Sequence, residues 1–325
     1  MDLDLVFLGT GGSMPTARRA TASLLLRRGG DRLLFDCGEG TQRQLHRSVG
    51  LVALDEIYLT HFHADHYLGI PGLLKTYDLQ GRERPLRILG PPGLRGLFDA
   101  IRRIMGRTRY EIELVELDAG EGVEHDGYWV LPYAVEHGTK AFGYAIVEEP
   151  RPGRFDAEAA ERLGVAPGPA FGDLQRGKTL DTANGRVRPE DVMGEPRPGR
   201  KLVITGDTRA CESTKVAAHR AELLIHDGSF SDEETERAAE TGHATAREAA
   251  ELADAAEVAM LALVHISSRY NPRAVLEEAR EVLPETVAPR DFDLIEIPFA
   301  ERGRPQLIKD GARSRPPEQP ETAKA

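Results

Sequence analysis

The chain has 325 residues, enough for one large domain with an insertion or for two domains. Its 42 Lys and Arg against 53 Asp and Glu leave a net charge of −11, which argues against non-specific binding of nucleic acid over the whole surface. No apolar run reaches the roughly 18 residues that a membrane-spanning helix needs, and no export signal opens the chain. Two cysteines, Cys37 and Cys211, are too few for a disulfide framework. The sequence therefore predicts a cytoplasmic protein without membrane contact.

The first elements are short strands around a glycine-rich loop. Apolar residues alternate over 3–7, and segments 23–26 and 33–35 are expected to pair across a turn. The loop at 9–13 resembles a dinucleotide-binding turn only in its glycines. Met14-Pro15 follows where that motif requires a helix, so we reject a phosphate-cradling role for this loop.

The segment His61-Phe62-His63-Ala64-Asp65-His66 places four potential metal ligands within six residues, directly after an apolar strand at 57–59. Zinc binds histidine nitrogens and carboxylate oxygens, and a catalytic site leaves one position open for water. Side chains alternate along an extended segment, so His61 and His63 can share one metal. Where the backbone turns, Asp65 and His66 can face a second metal about 4 Å away, as in two-metal hydrolases. The spacing favours this interpretation over the alternative, a solvated histidine-rich loop.

Strands and helices continue to alternate after this segment. Helices are predicted near 69–77 and at 94–105, and strands at 86–89, 129–135 and 142–147. This alternation indicates a layered α/β architecture, in which ligand sites lie beyond the carboxyl ends of the strands.

The composition of the sequence then changes. Residues 151–201 contain 14 Gly or Pro, a share that indicates loops and turns rather than core, although 156–163 has the pattern of a short helix. The same stretch holds ten Arg or Lys against eight Asp or Glu, a local charge of +2 in an acidic chain. We expect a protruding, partly ordered insertion here.

Apolar strands resume at 201–205, 222–225 and 258–264. Capping signals at Thr245 and at Asn271-Pro272 predict helices from 246 to about 255 and from 272 onward. The proline-rich end has the composition of a disordered tail. We divide the chain into the first half of the core domain (1–150), the insertion (151–200), the second half of the core domain (201–310) and the tail (311–325).

The later strand ends supply candidates for the ligands that the histidine cluster still needs. His137, Asp207 and His265 each follow a predicted strand. Taken singly, a strand-end aspartate more often caps a turn and a lone histidine is more often structural, but their shared placement favours the metal role. His243 lies in a loop between two predicted helices, where an imidazole can serve as a general acid. Its alternative role is that of a solvated loop residue.

Several motifs together resemble the metallo-β-lactamase superfamily and, more closely, its ribonuclease Z family. The matching stretches are residues 7–15, 34–42, 61–66, 135–138, 143–144, 206–208 and 265–270, with Gly168-Pro169 in the insertion. The resemblance covers about residues 3–300. It implies an α/β fold, an αββα sandwich, from which residues 151–200 protrude as a flexible arm that binds tRNA.

The resemblance also implies roles for individual residues. Two Zn²⁺ per subunit would be bound, one by His61, His63 and His137 and the other by Asp65, His66 and His265, with Asp207 bridging. Asp65 is the candidate base for the attacking water, Asp36 would support the cluster, and His243 would protonate the leaving 3′ oxygen. Where the family often has a glutamate that orients this histidine, the chain has Asp227, which is one methylene shorter.

The implied activity is hydrolysis of precursor tRNA 3′ of the discriminator nucleotide, which removes the trailer and leaves a 3′-hydroxyl. The implied assembly is a homodimer in which one subunit's arm contacts the tRNA cut by the other. Mn²⁺ or Fe²⁺ would fit the same ligands. One alternative is a related hydrolase of small phosphodiesters, sulfate esters or lactones, for which a long arm has no use. Another is an RNA-binding module with a structural metal, disfavoured because structural zinc sites are closed and usually rich in cysteine.

Overall fold

The computed structural model describes residues 1–314. They form two compact units, one of Met1–Val147 with the chain from Arg200 onward, the other of Glu148–Gly199. The strands are β1 (Leu3–Gly9), β2 (Ser23–Arg28), β3 (Asp31–Phe35), β4 (Glu56–Tyr58), β5 (Leu86–Gly90), β6 (Ile112–Glu116), β7 (Val123–His125), β8 (Tyr128–Ala134), β9 (Phe142–Glu148), β10 (Leu180–Thr182), β11 (Gly185–Val187), β12 (Lys201–Ile204), β13 (Leu223–Asp227), β14 (Leu261–Val264), β15 (Thr286–Val287), β16 (Leu294–Glu296) and β17 (Gln306–Ile308).

Helices alternate with these strands through most of the larger unit. They are α1 (Thr41–Arg47), α2 (Ala64–Tyr67), α3 (Ile70–Leu79), α4 (Leu94–Met105), α5 (Ala157–Arg162), α6 (Pro169–Gln175), α7 (Glu212–Ala218), α8 (Thr235–Thr241), α9 (Ala246–Ala255), α10 (Pro272–Arg280) and α11 (Gly311–Ser314). Single 3₁₀ turns occur at Pro189–Asp191, Asp232–Glu234 and Ala300–Arg302. None of the helices within residues 1–314 is long and apolar enough to cross a membrane.

Two mixed sheets build the larger unit. One has the strand order β17-β16-β1-β2-β3-β4-β5-β6, and its strands β3 to β6 pair in parallel. The other has the order β15-β14-β13-β12-β9-β8-β7, and its strands β12 to β15 pair in parallel. Parallel neighbours need a crossover connection, and the intervening helices supply it.

Three apolar layers hold the larger unit together. Between the sheets, the rings of Phe35 and Tyr58 stack at 5.2 Å between centroids within a continuous core. On the outer face of the first sheet, α3 and α4 bury residues such as Leu73 and Phe98. On the outer face of the second sheet, α9 and α10 bury their small apolar stripes, which include Ala249. Helices therefore cover both outer faces, and the predicted αββα sandwich is confirmed.

Capping signals in the sequence predicted the ends of several helices accurately. The Thr245 side chain accepts a hydrogen bond from the Glu248 amide in a capping box, and α9 ends at Ala255 as predicted. Asn271 caps α10 in the same way. Elements without such signals, including α1, α2, α7 and the short strands β15 to β17, were not predicted, because a few residues show no periodicity.

The smaller unit, Glu148–Gly199, has a core of its own. Two helices and the β10–β11 hairpin enclose the buried side chains of Ala160, Val165, Leu174, Val187 and Val192. The expectation of loops and turns rather than core was therefore incomplete, since Gly and Pro shape the turns while widely spaced apolar residues still meet.

The charge of this unit also differs from the sequence-based estimate. Arg200 and Lys201 belong to the larger unit, whereas Glu148 and Glu149 belong to the smaller one. Residues 148–199 thus hold eight Arg or Lys and ten Asp or Glu, a net charge of −2. Of the predicted tail, residues 311–314 form α11, and the remainder lies outside the described residues.

Candidate metal centre

The predicted site residues of the larger unit converge at the carboxyl ends of its strands. β12, β13 and β14 pair in parallel, so the chain leaves all three at one edge of the second sheet. Asp207, Asp227 and His265 lie at those exits. In the first sheet, β4 leads to His61, and the single turn of α2 presents Asp65 and His66. Open α/β sheets place ligand sites at this position.

All seven predicted metal ligands come together in two groups that share Asp207. The donor atoms within each group lie within 4.8 Å of one another. The first group consists of His61, His63, His137 and Asp207, and the second of Asp65, His66, Asp207 and His265. A third set overlaps these and contains Asp207, Asp227, His243 and His265. The first two groups have the same membership as the two sites implied by the family resemblance.

The donor atoms fit divalent cations. Nε2 of His61 and Nε2 of His66 are buried without a hydrogen-bond partner, an arrangement that proteins normally avoid. His63 Nδ1 and His137 Nε2 face each other at 3.1 Å. Asp207 presents its carboxylate to both groups, with Oδ2 3.8 Å from His61 Nε2 and Oδ1 3.3 Å from His66 Nε2. Imidazole nitrogens and carboxylate oxygens in this arrangement are ligands for zinc and similar metals.

The opposite nitrogen of each of three imidazoles is held by the protein. The carboxylate of Asp36 accepts from Nδ1 of His66 at 2.7 Å. The carbonyl of Gly242 accepts from Nδ1 of His137 at 2.8 Å. The hydroxyl of Ser229 lies 2.8 Å from Nδ1 of His265. Such contacts select the tautomer that leaves Nε2 free to bind a metal.

Burial and neighbouring charges set the protonation of the cluster. Burial lowers the pKa of His61 to about 2, so this imidazole is neutral and keeps its lone pair. Burial disfavours the charged form of His66, but the carboxylates of Asp207 and Asp36 raise its pKa well above the usual value. Burial also disfavours the Asp65 carboxylate, yet the hydrogen bond with His265 keeps the pKa of this carboxyl below its usual range.

His243 is held by Asp227 directly. Its Nδ1 lies 2.6 Å from Oδ2 of Asp227, so the shorter carboxylate reaches the imidazole without an intervening group. Burial disfavours the imidazolium of His243, but Asp227 outweighs it and raises the pKa to about 9. Asp227 is itself fixed, since its carboxylate accepts from the backbone amides of Ser229 at 2.9 Å and Thr208 at 3.1 Å. His243 is thus a partly buried, oriented imidazole and not a solvated loop residue.

Sequence and structure comparisons agree on the relationship of this chain. Residues 16–153 match the family model described as the metallo-beta-lactamase superfamily. The chain is 48% identical over 302 residues to ribonuclease Z of Methanosarcina acetivorans, covering 91% of this chain and 99% of that protein. Ribonuclease Z of Myxococcus xanthus is also 48% identical, over 86% of this chain and 92% of its own. The chain belongs to the ribonuclease Z family.

Solved structures support the same relationship. Human tRNase Z, short form, matches with a TM-score of 0.64 and 27% identity over 91% of this chain and 99% of its own. The metallo-beta-lactamase fold protein YhfI from Bacillus subtilis matches with a TM-score of 0.68 over 91% of this chain and 99% of its own, but at 18% identity this likeness concerns the fold alone. This member of the ribonuclease Z family is therefore an enzyme with a metallo-β-lactamase hydrolase fold.

Sequence reasoning missed two residues at the centre of this family member. The Ser229 hydroxyl donates to Oδ1 of Asp227 at 2.6 Å while it contacts His265 on its other side. The Ser13 amide donates to Oδ2 of Asp65 at 2.9 Å. A single serine carries no pattern, and only the tertiary structure brings these groups to the centre.

The glycine-rich loop at the start of the chain serves close packing at the centre. A Cβ atom at Gly12 would lie 2.6 Å from the backbone oxygen of His265, closer than real Cβ contacts allow. Gly206 has φ +64°, and a Cβ there would meet the Thr60 side chain at 2.7 Å. These glycines let the loops that carry Ser13 and Asp207 approach the donor groups. Their role is therefore close packing, which agrees with our rejection of a phosphate-cradling loop.

His226, although buried at the end of β13, belongs to none of the three donor groups found within residues 1–314.

Proposed function

We propose that this protein is a metal-dependent endoribonuclease that cuts precursor tRNA 3′ of the discriminator nucleotide, removing the trailer and leaving a 3′-hydroxyl. One observation carries the proposal: two His/Asp donor groups share Asp207 beside the oriented His243. They occur in a chain that is 45–48% identical to proteins named ribonuclease Z along most of its length. The human neighbour is a tRNase Z by name, which supports tRNA as the substrate.

The two donor groups would hold one cation each. His61, His63 and His137 would bind the first, Asp65, His66 and His265 the second, and Asp207 both. Two zinc ions bound there would neutralise charge on the phosphate and lower the pKa of a water molecule to the neutral range. We assign zinc because imidazole nitrogens and carboxylate oxygens are its usual ligands, and elemental analysis of the purified protein distinguishes zinc from manganese or iron.

The protein's own groups would move the protons. The carboxylate of Asp65, held by the Ser13 amide, would accept the proton of the attacking water. His243 would supply a proton to the leaving 3′ oxygen. Because Nδ1 of His243 is bonded to Asp227, Nε2 is the nitrogen that can face the leaving group. The Asp227 carboxylate raises the pKa of His243 and so favours the protonated form that a general acid needs.

We propose further that residues 148–199 act as a flexible arm that binds the body of the tRNA. Between Arg162 and Arg188 the unit has five basic residues and two acidic ones. These cations form exposed ion pairs, such as Arg176 with Asp173 at 2.7 Å and Arg186 with Asp181 at 3.1 Å. Exposed pairs contribute only about 0–1 kcal/mol, so RNA phosphates can replace their acidic partners. The family resemblance supports a homodimer that shares its arms, acting in the cytoplasm.

The decisive experiment is cleavage of a 3′-extended tRNA by the purified protein, with the ends of both products mapped. We expect a single cut after the discriminator nucleotide, abolished by chelation and restored by added zinc. Absence of cleavage, or cleavage indifferent to the chelator, would contradict the proposal. Rapid turnover of small phosphodiesters with no pre-tRNA cleavage would point instead to a small-molecule hydrolase.

A further inference from the structure

A second feature of the larger unit is a basic groove outside the donor groups. It encloses a cavity of about 380 Å³. Its cationic lining consists of Arg19, Arg273, Arg280, Arg290 and Lys309, against two acidic residues, Asp293 and Asp310. The charge of the groove is therefore opposite in sign to the net charge of −11 of the whole chain.

The cations of the basic groove are largely available. Within residues 1–314, the side chains of Arg273, Arg290 and Lys309 form no ion pair and no hydrogen bond. Arg280 donates to the carbonyl of Thr286 at 2.8 Å, a contact that leaves its charge uncompensated.

Both acids of the groove have partners of their own. Asp293 accepts from the backbone amides of Arg290 and Asp310, both at 2.9 Å, and Asp310 lies 3.5 Å from Arg313. With five cations against two acids, the lining of the groove keeps a net positive charge.

The basic groove adjoins the metal centre through one residue. The carbonyl of Thr10 accepts from Arg19 Nη1 at 3.3 Å and from the backbone amide of His265 at 3.2 Å. The helix α10, which carries Arg273 and Arg280, begins seven residues after His265. Arg19 of the groove and His265 of the second donor group are therefore linked through a single residue, Thr10.

A second basic cavity does not share this position. It measures about 530 Å³ and is lined by Arg102, Arg103 and Arg107 at the carboxyl end of α4. The amino end of α4 lies near the histidine cluster, since a Cβ at Gly93 would contact Phe62. Twelve residues of helix span about 18 Å, which carries these arginines away from the centre.

We propose that the basic groove binds the phosphodiester backbone of the substrate RNA next to the cut. The proposal rests on the ribonuclease activity proposed above and assigns RNA binding to a site in the larger unit. Phosphate neutralisation by Arg and Lys dominates the affinity of proteins for RNA. Because the chain as a whole and residues 148–199 both carry net negative charge, local basic surfaces must supply that neutralisation. Of the two basic cavities, this is the one that adjoins the donor groups.

The test compares Arg273→Glu/Arg290→Glu with the matched variant Arg103→Glu, which reverses an exposed arginine in the distant cavity. On 3′-extended tRNA we expect the double variant to raise KM about tenfold or more while kcat changes less than about twofold. The dependence of log KM on log salt should become shallower by about two phosphate contacts. Arg103→Glu should match the wild type. Thermal unfolding of all three proteins verifies that the fold is intact.

Binding of the two cleavage products tests RNA binding by the groove independently of the proposed cleavage activity. Fluorescence anisotropy with tRNA ending at the discriminator, and with a single-stranded trailer oligonucleotide, reports affinity without turnover. If the double variant loses affinity for only one product, the result supports RNA binding by the groove. It also shows on which side of the cut the bound phosphates lie. Equal affinities and KM values for the double variant and Arg103→Glu would contradict RNA binding by the groove. Normal RNA binding without any cleavage by the wild type would instead overturn the proposed activity.

Discussion

The metal centre and the unit of residues 148–199 show opposite ways of building function. At the centre, His61, His66 and Asp207 are buried and their positions are set by strand ends that share a sheet edge. In the smaller unit the charged side chains are exposed and exchangeable, such as Arg176 and Asp173, while only five apolar residues form its core.

The difference fits the functions proposed for the two regions. Chemistry at phosphorus requires donor groups held within fractions of an ångström, and a rigid scaffold supplies that precision. Recognition of a large RNA tolerates mobile side chains, because phosphate contacts depend on charge more than on fixed geometry. A substitution in one region should therefore leave the function of the other intact.

The largest effect is expected from Asp207→Ala, because this carboxylate belongs to both donor groups. Loss of bound cations removes several kcal/mol of transition-state stabilisation, which corresponds to a fall of about a thousandfold or more in kcat/KM. The fall should be equal for pre-tRNA and for a chromogenic phosphodiester, and elemental analysis should show less bound metal. Asp99→Ala, an exposed position on α4, is the control. An Asp207→Ala variant that kept a tenth of the activity would contradict the shared role.

A slightly smaller and substrate-dependent effect is expected from His243→Ala. General acid catalysis contributes about 10²–10⁴-fold, so cleavage of pre-tRNA should fall by that factor. A nitrophenolate leaving group needs no proton, so hydrolysis of a nitrophenyl phosphodiester should fall far less. Asp227→Asn should show the same pattern, because it removes the charge that holds the proton on His243. Equal losses on the two substrates would show that His243 acts through the fold or the metals.

The sequence predicted which side chains meet in the two donor groups better than it predicted the contacts around them. His61, His63, Asp65 and His66 are recognisable because the residue type and the strand end are both local features. Asp207 and His265 are recognisable for the same reason, and the parallel order of β12 to β14 then brings them together. The direct contact between Asp227 and His243 was not predictable, since it depends on how two loops pack.

The smaller unit was harder to predict for a physical reason. Its apolar residues are scattered between turns, so no window shows a helical or strand period, and yet Val165 and Val187 meet in one core. Residues 151–201 carry a charge of +2 and the compact unit of residues 148–199 carries −2, because Arg200 and Lys201 belong to the larger unit whereas Glu148 and Glu149 belong to the smaller one. Such boundaries follow from tertiary contacts, which local patterns do not encode.

Deletion of residues 155–195, closed by a short Gly-Ser linker, tests whether the two regions are separable. We expect kcat/KM for pre-tRNA to fall by about a hundredfold, because phosphate contacts supplied by the arm are lost. Turnover of the chromogenic phosphodiester should stay within about threefold of the wild type. If both activities fell together, the unit would be supporting the fold of the metal centre.

A more modest effect is expected from Ser229→Ala, which removes the hydroxyl between Asp227 and His265. Loss of such a partner behind a metal-binding histidine typically costs about 10–100-fold in metal affinity or activity. Ser229→Thr keeps the hydroxyl and should restore most of both. Metal affinity measured by competition with a chromogenic chelator is the readout, and unchanged affinity in Ser229→Ala would exclude the positioning role.

The smallest effect on catalysis is expected from Leu174→Ala, which opens the core of residues 148–199. Leu174 is fully buried there, and large-to-small changes at such sites cost about 2–5 kcal/mol. Because this core is separate from the three apolar layers of the larger unit, the cost should appear as faster amide exchange confined to residues 148–199. Turnover of the chromogenic phosphodiester should be unchanged, whereas KM for pre-tRNA should rise as the arm loses order. The exposed Leu79→Ala is the matched control, and faster exchange at the donor groups in Leu174→Ala would mean that the two cores are coupled.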